Sequence, residues 1–278
     1  MLVLRQPPFR QDHVETISSG PTATVDGSPG SISQAPDDGA VPKRTLAIAH
    51  RGASAEFPEN TIPAFARALE LGADGIELDV HTTGDGIVVV HHDFDVQGGA
   101  SRLPIAAASL AELRALQPSD EHRIPTLREV CELVGSRATL YVELKGADVE
   151  EAVLDTLRDH VGPFALHSFD HAAIERVAAR APHVRRGLLF DAPPAELVAL
   201  VTRTGAHELW PRFDLATPEF IATAHALGTS VIAWTVNDSS IAARLTAAGV
   251  DGICTDDVRA LPAAVAAPAP EAEVLAVP

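Results

Sequence analysis

The sequence predicts an α/β chain closed into a TIM (β/α)8 barrel, and three observations predict it. Short apolar runs alternate with helical periods from residue 46 to residue 254. A β-α-β-α series implies a parallel sheet, and about eight units of this size fit a barrel near the lower end of its length range. Ionisable residues gather at the C-terminal ends of the apolar runs, the end at which a barrel builds its site. A doubly wound open sheet is the alternative. No G-x-G-x-x-G follows the first strand, which argues against a dinucleotide-binding reading.

Strands are expected at 46–49, 75–80, 87–91, 138–144, 163–168, 184–190, 208–211, 230–235 and 252–254. Between the first two, Ile62, Phe65, Ala66 and Leu69 repeat at i, i+3, i+4 and i+7, one face of a helix. Asn60 or Thr61 caps its start, Pro63 suits its first turn and Gly72 ends it. Further helices are expected at 126–133, 149–160, 171–180, 194–202, 217–227 and 239–248, with Gly228 and Gly249 stopping the last two. The stretch 98–123 is too irregular for a plain loop and reads as a small insertion after the second strand region, with a short helix at 110–116. Residues 1–43, rich in Ser, Gly, Pro, Thr and Asp from 20 onward, show no hydrophobic period and read as a disordered N-terminal extension. Residues 262–278 read as a disordered Ala/Pro-rich tail, which leaves 44–261 as the barrel domain.

The chain has 278 residues and a formal charge of −17, and most of that acidity lies in the expected barrel. Such a charge excludes a nucleic-acid binder or a polybasic membrane clamp, because both need positive surface against phosphates. An anionic substrate must be met by a local positive site, since the overall field repels it. Two distant cysteines, Cys131 and Cys254, form neither a disulfide framework nor a zinc-finger spacing, and suit a reducing compartment. No run of apolar residues is long enough for a transmembrane helix, and the N-terminus lacks the apolar stretch of roughly 7–15 residues of a secretory signal, so the cytoplasm is expected.

The first strand ends in His50-Arg51-Gly52, the second carries Glu77 and Asp79, the next extended run ends in His91-His92-Asp93, and the 138–144 strand carries Glu143 followed by Lys145. Residues two apart on a strand share a face, so Glu77 pairs with Asp79 and Glu143 with Lys145. Carboxylates converging in a barrel mouth repel one another unless a cation sits between them, and hard oxygen ligands suit Mg²⁺ or Ca²⁺. Plain ion pairing with Arg51 or Lys145 would satisfy them equally. His50 and His92 could act as general acid and base, because imidazole titrates near neutrality. Strand alternation allows only one of His91 and His92 to face the barrel, without saying which. Arg51 and Lys145 would supply positive charge to a phosphate. Trp234 could wall a small polyol or alkyl group, or simply pack in the core. His81 and His167 are weaker candidates beside the site. His122, His160, His171, His183, His207 and His225 have no partner pattern. Neither a G-x-S-x-G nucleophile motif nor a P-loop occurs.

Taken in order, these motifs resemble the glycerophosphodiester phosphodiesterase family: His50-Arg51-Gly52, Pro58-Glu59-Asn60-Thr61, Gly75-Ile76-Glu77-Leu78-Asp79-Val80 and His92-Asp93. Val142-Glu143-Leu144-Lys145, Ser168-Phe169-Asp170, Ala233-Trp234-Thr235-Val236-Asn237 and the run from Gly249 to Asp256 continue the match. The resemblance implies a TIM barrel and a divalent-metal-dependent hydrolase that releases sn-glycerol 3-phosphate and an alcohol. It implies His50 and His92 as the acid–base pair, because the family's histidine directly precedes Asp. It further implies one Mg²⁺ or Ca²⁺ on Glu77, Asp79 and Glu143, and phosphate contacts from Arg51 and Lys145. In this family the attacking group is a neighbouring glycerol hydroxyl, which gives a cyclic phosphate that water opens.

The chain departs from the family pattern after His92-Asp93, where it reads Phe94-Asp95-Val96-Gln97-Gly98-Gly99. Loops there shape the substrate mouth, so the departure bears on the substrate more than on the chemistry. The expected partner is a small-molecule glycerophosphodiester. A phospholipase acting on lysophospholipids and a non-catalytic barrel that binds a phosphate ester are the alternatives.

Overall fold

A computed structural model describes residues 44–117, 119, 122–262 and 265. The expected N-terminal extension and nearly all of the expected tail lie outside the described residues. Eight parallel strands form a closed barrel: β1 (Leu46–His50), β2 (Gly75–Thr82), β6 (Thr139–Leu144), β7 (Phe164–Ser168), β8 (Arg185–Phe190), β9 (Glu208–Pro211), β10 (Ser230–Ala233) and β11 (Gly252–Thr255). β1 pairs with both β2 and β11, which closes the ring. Helices α1 (Ile62–Glu70), α3 (Leu127–Val134), α4 (Glu150–Leu157), α5 (His171–Arg180), α6 (Leu197–Thr204), α7 (Pro218–Ala226) and α8 (Ser239–Ala247) follow the first seven barrel strands. A 3-10 turn, Val258–Ala260, follows the eighth among the described residues.

The run expected at 87–91 is a short strand, β3 (Val88–Val90), antiparallel to β2 and outside the barrel ring. The insertion holds the expected helix, α2 (Leu110–Leu116), and also a hairpin of β4 (Asp95–Gly98) and β5 (Ser101–Pro104) that the sequence reading missed. Its signal was present: a Gly98-Gly99 pair at a tight reversal, with Gly99 at φ +58°. This subdomain has its own small core of Val89, Val96, Ile105, Ala108, Leu113 and Ile124.

Period-2 alternation divides the barrel strands between two cores, except that β2 turns Glu77 and Asp79 inward instead of apolar residues. Outward residues such as Ile76, Leu78, Val142, Leu166 and Ile253 pack under the helices. Inward residues Ile48, Tyr141, Ala165, Leu189, Trp210, Ile232 and Cys254 fill the barrel itself. The helix starts are fixed locally. Thr61, Thr126 and Thr217 each accept a backbone N–H of the first turn, and Thr126 forms a capping box with Glu129. α6 runs two residues past its expected end because Gly205, left-handed at φ +56°, is the residue that can terminate it. No helix among the described residues is long and apolar enough to cross a membrane. At the bottom of the barrel Arg44 pairs with Asp74 and donates to the carbonyl of buried Val265 at 2.6 Å.

The turn after β1 combines a left-handed backbone with a close approach to α1. Arg51 and Gly52 both have positive φ, +56° and +85°, and a Cβ on Gly52 would lie 2.7 Å from the Ala64 carbonyl carbon. Only glycine accepts both the dihedral and the contact. Gly52→Ala is therefore expected to lower stability by roughly 2 kcal/mol or more, the scale of a strained backbone plus an overpacked contact. Urea unfolding of the two proteins measures it; an unchanged midpoint would contradict this account of the turn.

Candidate active site

β1, β2, β6, β7 and β10 aim their C-terminal side chains into one cavity of about 250 Å³ in the barrel mouth, lined by His50, Arg51, Glu77, His92, Glu143, Lys145, His167, Phe169 and Trp234, among others. Strand register places them. His50 lies opposite Glu77, Asp79 opposite Glu143, and Glu143 opposite His167. A larger cleft of about 640 Å³ opens at the other end of the barrel, around His160, Arg180 and Arg185, and contains none of these strand-end groups.

Three carboxylates are buried here: Glu77, Asp79 and Glu143, with 4%, 0% and 6% of their surface exposed. Asp79 is held by cations and an amide. Arg51 Nε lies 3.1 Å from Oδ2, Lys145 Nζ lies 3.3 Å from Oδ1, and Asn60 Nδ2 donates to Oδ2 at 2.8 Å. Burial alone would raise the Asp79 pKa, but Arg51 and Lys145 outweigh it and hold the carboxyl below its ordinary value. Lys145 also pairs with Glu143 at 3.0 Å. That is not enough for Glu143. Burial and the nearby Asp79 charge push its pKa up to about 8. Glu77 Oε2 accepts the Arg51 backbone N–H at 3.1 Å.

Asp79 and Glu143 are both ion-paired, Asp79 with Arg51 and Lys145 and Glu143 with Lys145. Glu77, Glu143 and His167 each present a ligand atom within 4.8 Å of the other two, and all three are buried. Among the described residues, neither ring nitrogen of His167 has a hydrogen-bond partner.

Each of the two expected acid–base histidines is oriented by an aspartate. His50 Nδ1 lies 2.7 Å from Asp256 Oδ1. Asp256 is in turn fixed by Asn237 Nδ2 at 2.6 Å and by the Ser54 hydroxyl at 3.2 Å. His92 Nδ1 lies 2.9 Å from Asp93 Oδ1. An ionised carboxylate on Nδ1 favours the tautomer protonated there, which leaves Nε2 to exchange protons. Burial opposes a charged imidazolium at His50, but the Asp256 hydrogen bond and the field of Glu77 outweigh it, so the His50 pKa stands above its ordinary value. His92 lines the cavity, whereas the ring of His91 turns away to the Asp95 carbonyl at 3.2 Å. Trp234 lines the cavity and makes a T-shaped contact with Phe169, with ring centroids 5.4 Å apart, while its Nε1 donates to the Trp210 carbonyl at 2.7 Å.

Asp256, Asn237, Ser54 and Asn60 were missed as site residues, although Asp256, Asn237 and Asn60 fall within the motifs quoted above. The sequence offers Asn60 or Thr61 as the helix cap. Thr61 is the cap, and Asn60, at φ +58°, turns inward to Asp79.

Comparison with known proteins points to one family. The model of the glycerophosphoryl diester phosphodiesterase family matches residues 50–260. A glycerophosphodiester phosphodiesterase of Caldanaerobacter subterraneus subsp. tengcongensis is 37% identical over 78% of this chain and 96% of its own. Among solved structures, an Oleispira antarctica phosphodiesterase in complex with the product sn-glycerol-3-phosphate superposes with a TM-score of 0.72 at 28% identity, over 78% of this chain and 95% of that one. A glycerophosphodiester phosphodiesterase of Thermotoga maritima gives 0.69 at 29% identity, over 77% and 95%.

The Asp256 contact makes a signed prediction. Asp256→Asn removes the carboxylate that raises the His50 pKa, so His50 should lose its proton at lower pH than in the parent protein. Titration of the His50 imidazole resonance by NMR checks this; a midpoint that stays in place or moves upward would contradict it.

Proposed function

The chain belongs to the glycerophosphoryl diester phosphodiesterase family, and on that premise we propose that it hydrolyses glycerophosphodiesters, such as glycerophosphocholine or glycerophosphoethanolamine, to sn-glycerol 3-phosphate and an alcohol. The observation that carries this is a single cavity in which two aspartate-oriented imidazoles flank a buried carboxylate cluster and two cations. The sn-glycerol-3-phosphate bound to the Oleispira antarctica relative supports the same product here.

Arg51 and Lys145 give the anionic diester a positive site in an otherwise acidic protein. Asp79 holds both cations and fixes where the phosphate sits. His50, whose protonated form Asp256 and Glu77 favour, is suited to protonate the leaving alkoxide from Nε2. His92, with its Nδ1 proton held on Asp93, is suited to take the proton of the attacking oxygen. A glycerol hydroxyl already tethered to the phosphate has a large effective-concentration advantage over free water as that first attacker. Such an attack selects the glycerol half and leaves the alcohol half free to vary, with Trp234 bordering the pocket on the apolar side.

The residues fit a divalent cation. Three buried carboxylates face two fixed cations, and burial, with the nearby Asp79 charge, raises the pKa of Glu143. Glu77, Asp79 and Glu143 would hold the ion, and their oxygens suit Mg²⁺ or Ca²⁺. Bound there, it would neutralise phosphate charge and orient the diester.

Release of glycerol 3-phosphate from glycerophosphocholine and glycerophosphoethanolamine, with Mg²⁺, with Ca²⁺ and with chelator, tests the proposal. Chelation is expected to abolish release. His50→Ala and His92→Ala should each lower kcat by about 10²–10⁴-fold, the usual worth of a positioned acid or base. No release under any metal would overturn the reading.

One observation favours a second substrate class. Phe57, Phe94 and Phe169 are exposed on loops at the same end of the barrel, Phe94 by 67% of its surface. An apolar rim of this kind suits the acyl chain of a lysophospholipid. In that case turnover should rise with chain length and fall in a Phe94→Ala/Phe169→Ala variant. Equal rates across chain lengths would assign the enzyme to soluble diesters.

A further inference from the structure

His81 has no task in the chemistry above, although it stands on the same face of β2 as Glu77 and Asp79. It is buried, with 3% of its surface exposed. A buried imidazole needs a hydrogen-bond partner. Here the partner is the backbone of an expected acid–base residue: His81 Nε2 lies 3.3 Å from the His92 carbonyl oxygen. A carbonyl only accepts, so Nε2 carries the proton and donates it. Among the described residues, this is the one hydrogen bond made to the His92 backbone.

His92 stands on a segment with few other supports. β3 ends at Val90, and residues 91–94 belong to neither a helix nor a strand. The segment is pinned at its ends, where the His91 N–H donates to the Asp79 carbonyl at 2.9 Å and the Phe94 carbonyl accepts the Ile105 N–H at 3.0 Å. The ring of His92 bonds to Asp93, whose side chain is 64% exposed. Between the pins, the His81 ring meets the segment twice. It donates to His92, and it makes a T-shaped contact with Phe94, ring centroids 5.1 Å apart. Phe94 opens the stretch in which this chain departs from the family pattern. A Cβ added to Gly146 would stand 3.6 Å from His81 Nδ1, so the ring is confined on that side too. His81 itself is fixed in the β2–β3 ladder, opposite Val89. An apolar side chain could pack against Phe94 equally well. The imidazole adds a donor, and the donor is spent on His92.

We propose that His81 is a positioning residue for His92: its Nε2–H fixes the His92 carbonyl and, with it, the place from which the His92 imidazole reaches the substrate. β2 then carries Glu77 and Asp79 and also sets one of the two imidazoles against them. The kinetic consequence rests on the reading of His92 as the group that takes the proton of the attacking oxygen; the contact rests on geometry alone.

His81→Leu and His81→Gln, in the full chain, test the proposal. Leucine keeps the packing and removes the donor, whereas the glutamine amide can replace Nε2–H. In glycerol 3-phosphate release from glycerophosphocholine, His81→Leu is expected to lower kcat by about 10–10²-fold, the scale of a catalytic group displaced by up to about 1 Å. KM and the metal concentration for half-maximal rate should stay within about twofold, because substrate and metal binding are not touched. His81→Gln should recover most of the lost kcat. An unchanged kcat in His81→Leu would overturn the proposal. So would equal losses in both variants, or a loss carried by KM or by the metal requirement, which would make His81 a support of Asp79 instead. A second readout is independent of turnover. The parent His81 imidazole should show the Nε2-protonated tautomer by NMR, and the His92 resonances should shift or broaden in His81→Leu and stay in place in His81→Gln. An Nδ1-protonated His81, or His92 resonances unmoved by His81→Leu, would contradict the contact. The parent tautomer decides this even if His81→Leu does not fold. A parent chain that releases no glycerol 3-phosphate under any metal would end the enzyme reading, and the His92 resonances would still decide whether His81 holds that residue in place.

Discussion

The constraint on which the site depends is the burial of three carboxylates in one barrel mouth. Isolated buried carboxylates would be driven to their neutral forms. Two different compensations are visible. Asp79 keeps its charge because Arg51, Lys145 and Asn60 surround it. Glu143 is only half answered by Lys145, and its pKa is pushed upward. The remaining demand falls between Glu77, Glu143 and His167, where a cation would meet it. The cluster therefore sets its own binding preference: positive charge is wanted, and the two side chains that supply it also face the cavity.

Much of the surrounding backbone serves that cluster. The left-handed turn at Arg51 and Gly52 lets one residue contribute twice, its backbone N–H to Glu77 and its guanidinium to Asp79. The left-handed Asn60 sends an amide back to Asp79 just before α1 begins. Strained backbone gathers where chemistry is placed, and the stability for it comes from the closed barrel and its two cores. The histidines follow the same logic. Each is held at Nδ1 by an aspartate from a strand-end loop, so each presents a defined nitrogen to the cavity.

The barrel was legible because its signals are local. Period-2 strands, period-3.6 helices, caps at Thr61, Thr126 and Thr217 and stops at Gly228 and Gly249 are all written within a few residues. Errors arose where an element's limit depends on its neighbours. β10 ends at Ala233, not at 235, and beyond it Trp234 keeps only a bridge to Arg212. The hairpin of β4 and β5 is short and has little alternation, so only its glycine turn announced it.

The sequence by itself determined which groups are present and which share a strand face. Spacing puts Glu77 with Asp79 and Glu143 with Lys145, and the ordered motifs point to the family. Tertiary structure decided which group answers which. Asp256 meets His50 from 206 positions away, and Asn60 meets Asp79 across the turn into α1. Spacing left open which groups pair with which, and the fold pairs Asp79 with Arg51 and Lys145, pairs Glu143 with Lys145, and brings Glu77, Glu143 and His167 within 4.8 Å of one another. The physical reason is that pairing energies depend on distance and burial, and both are set only when eight strands close on one another.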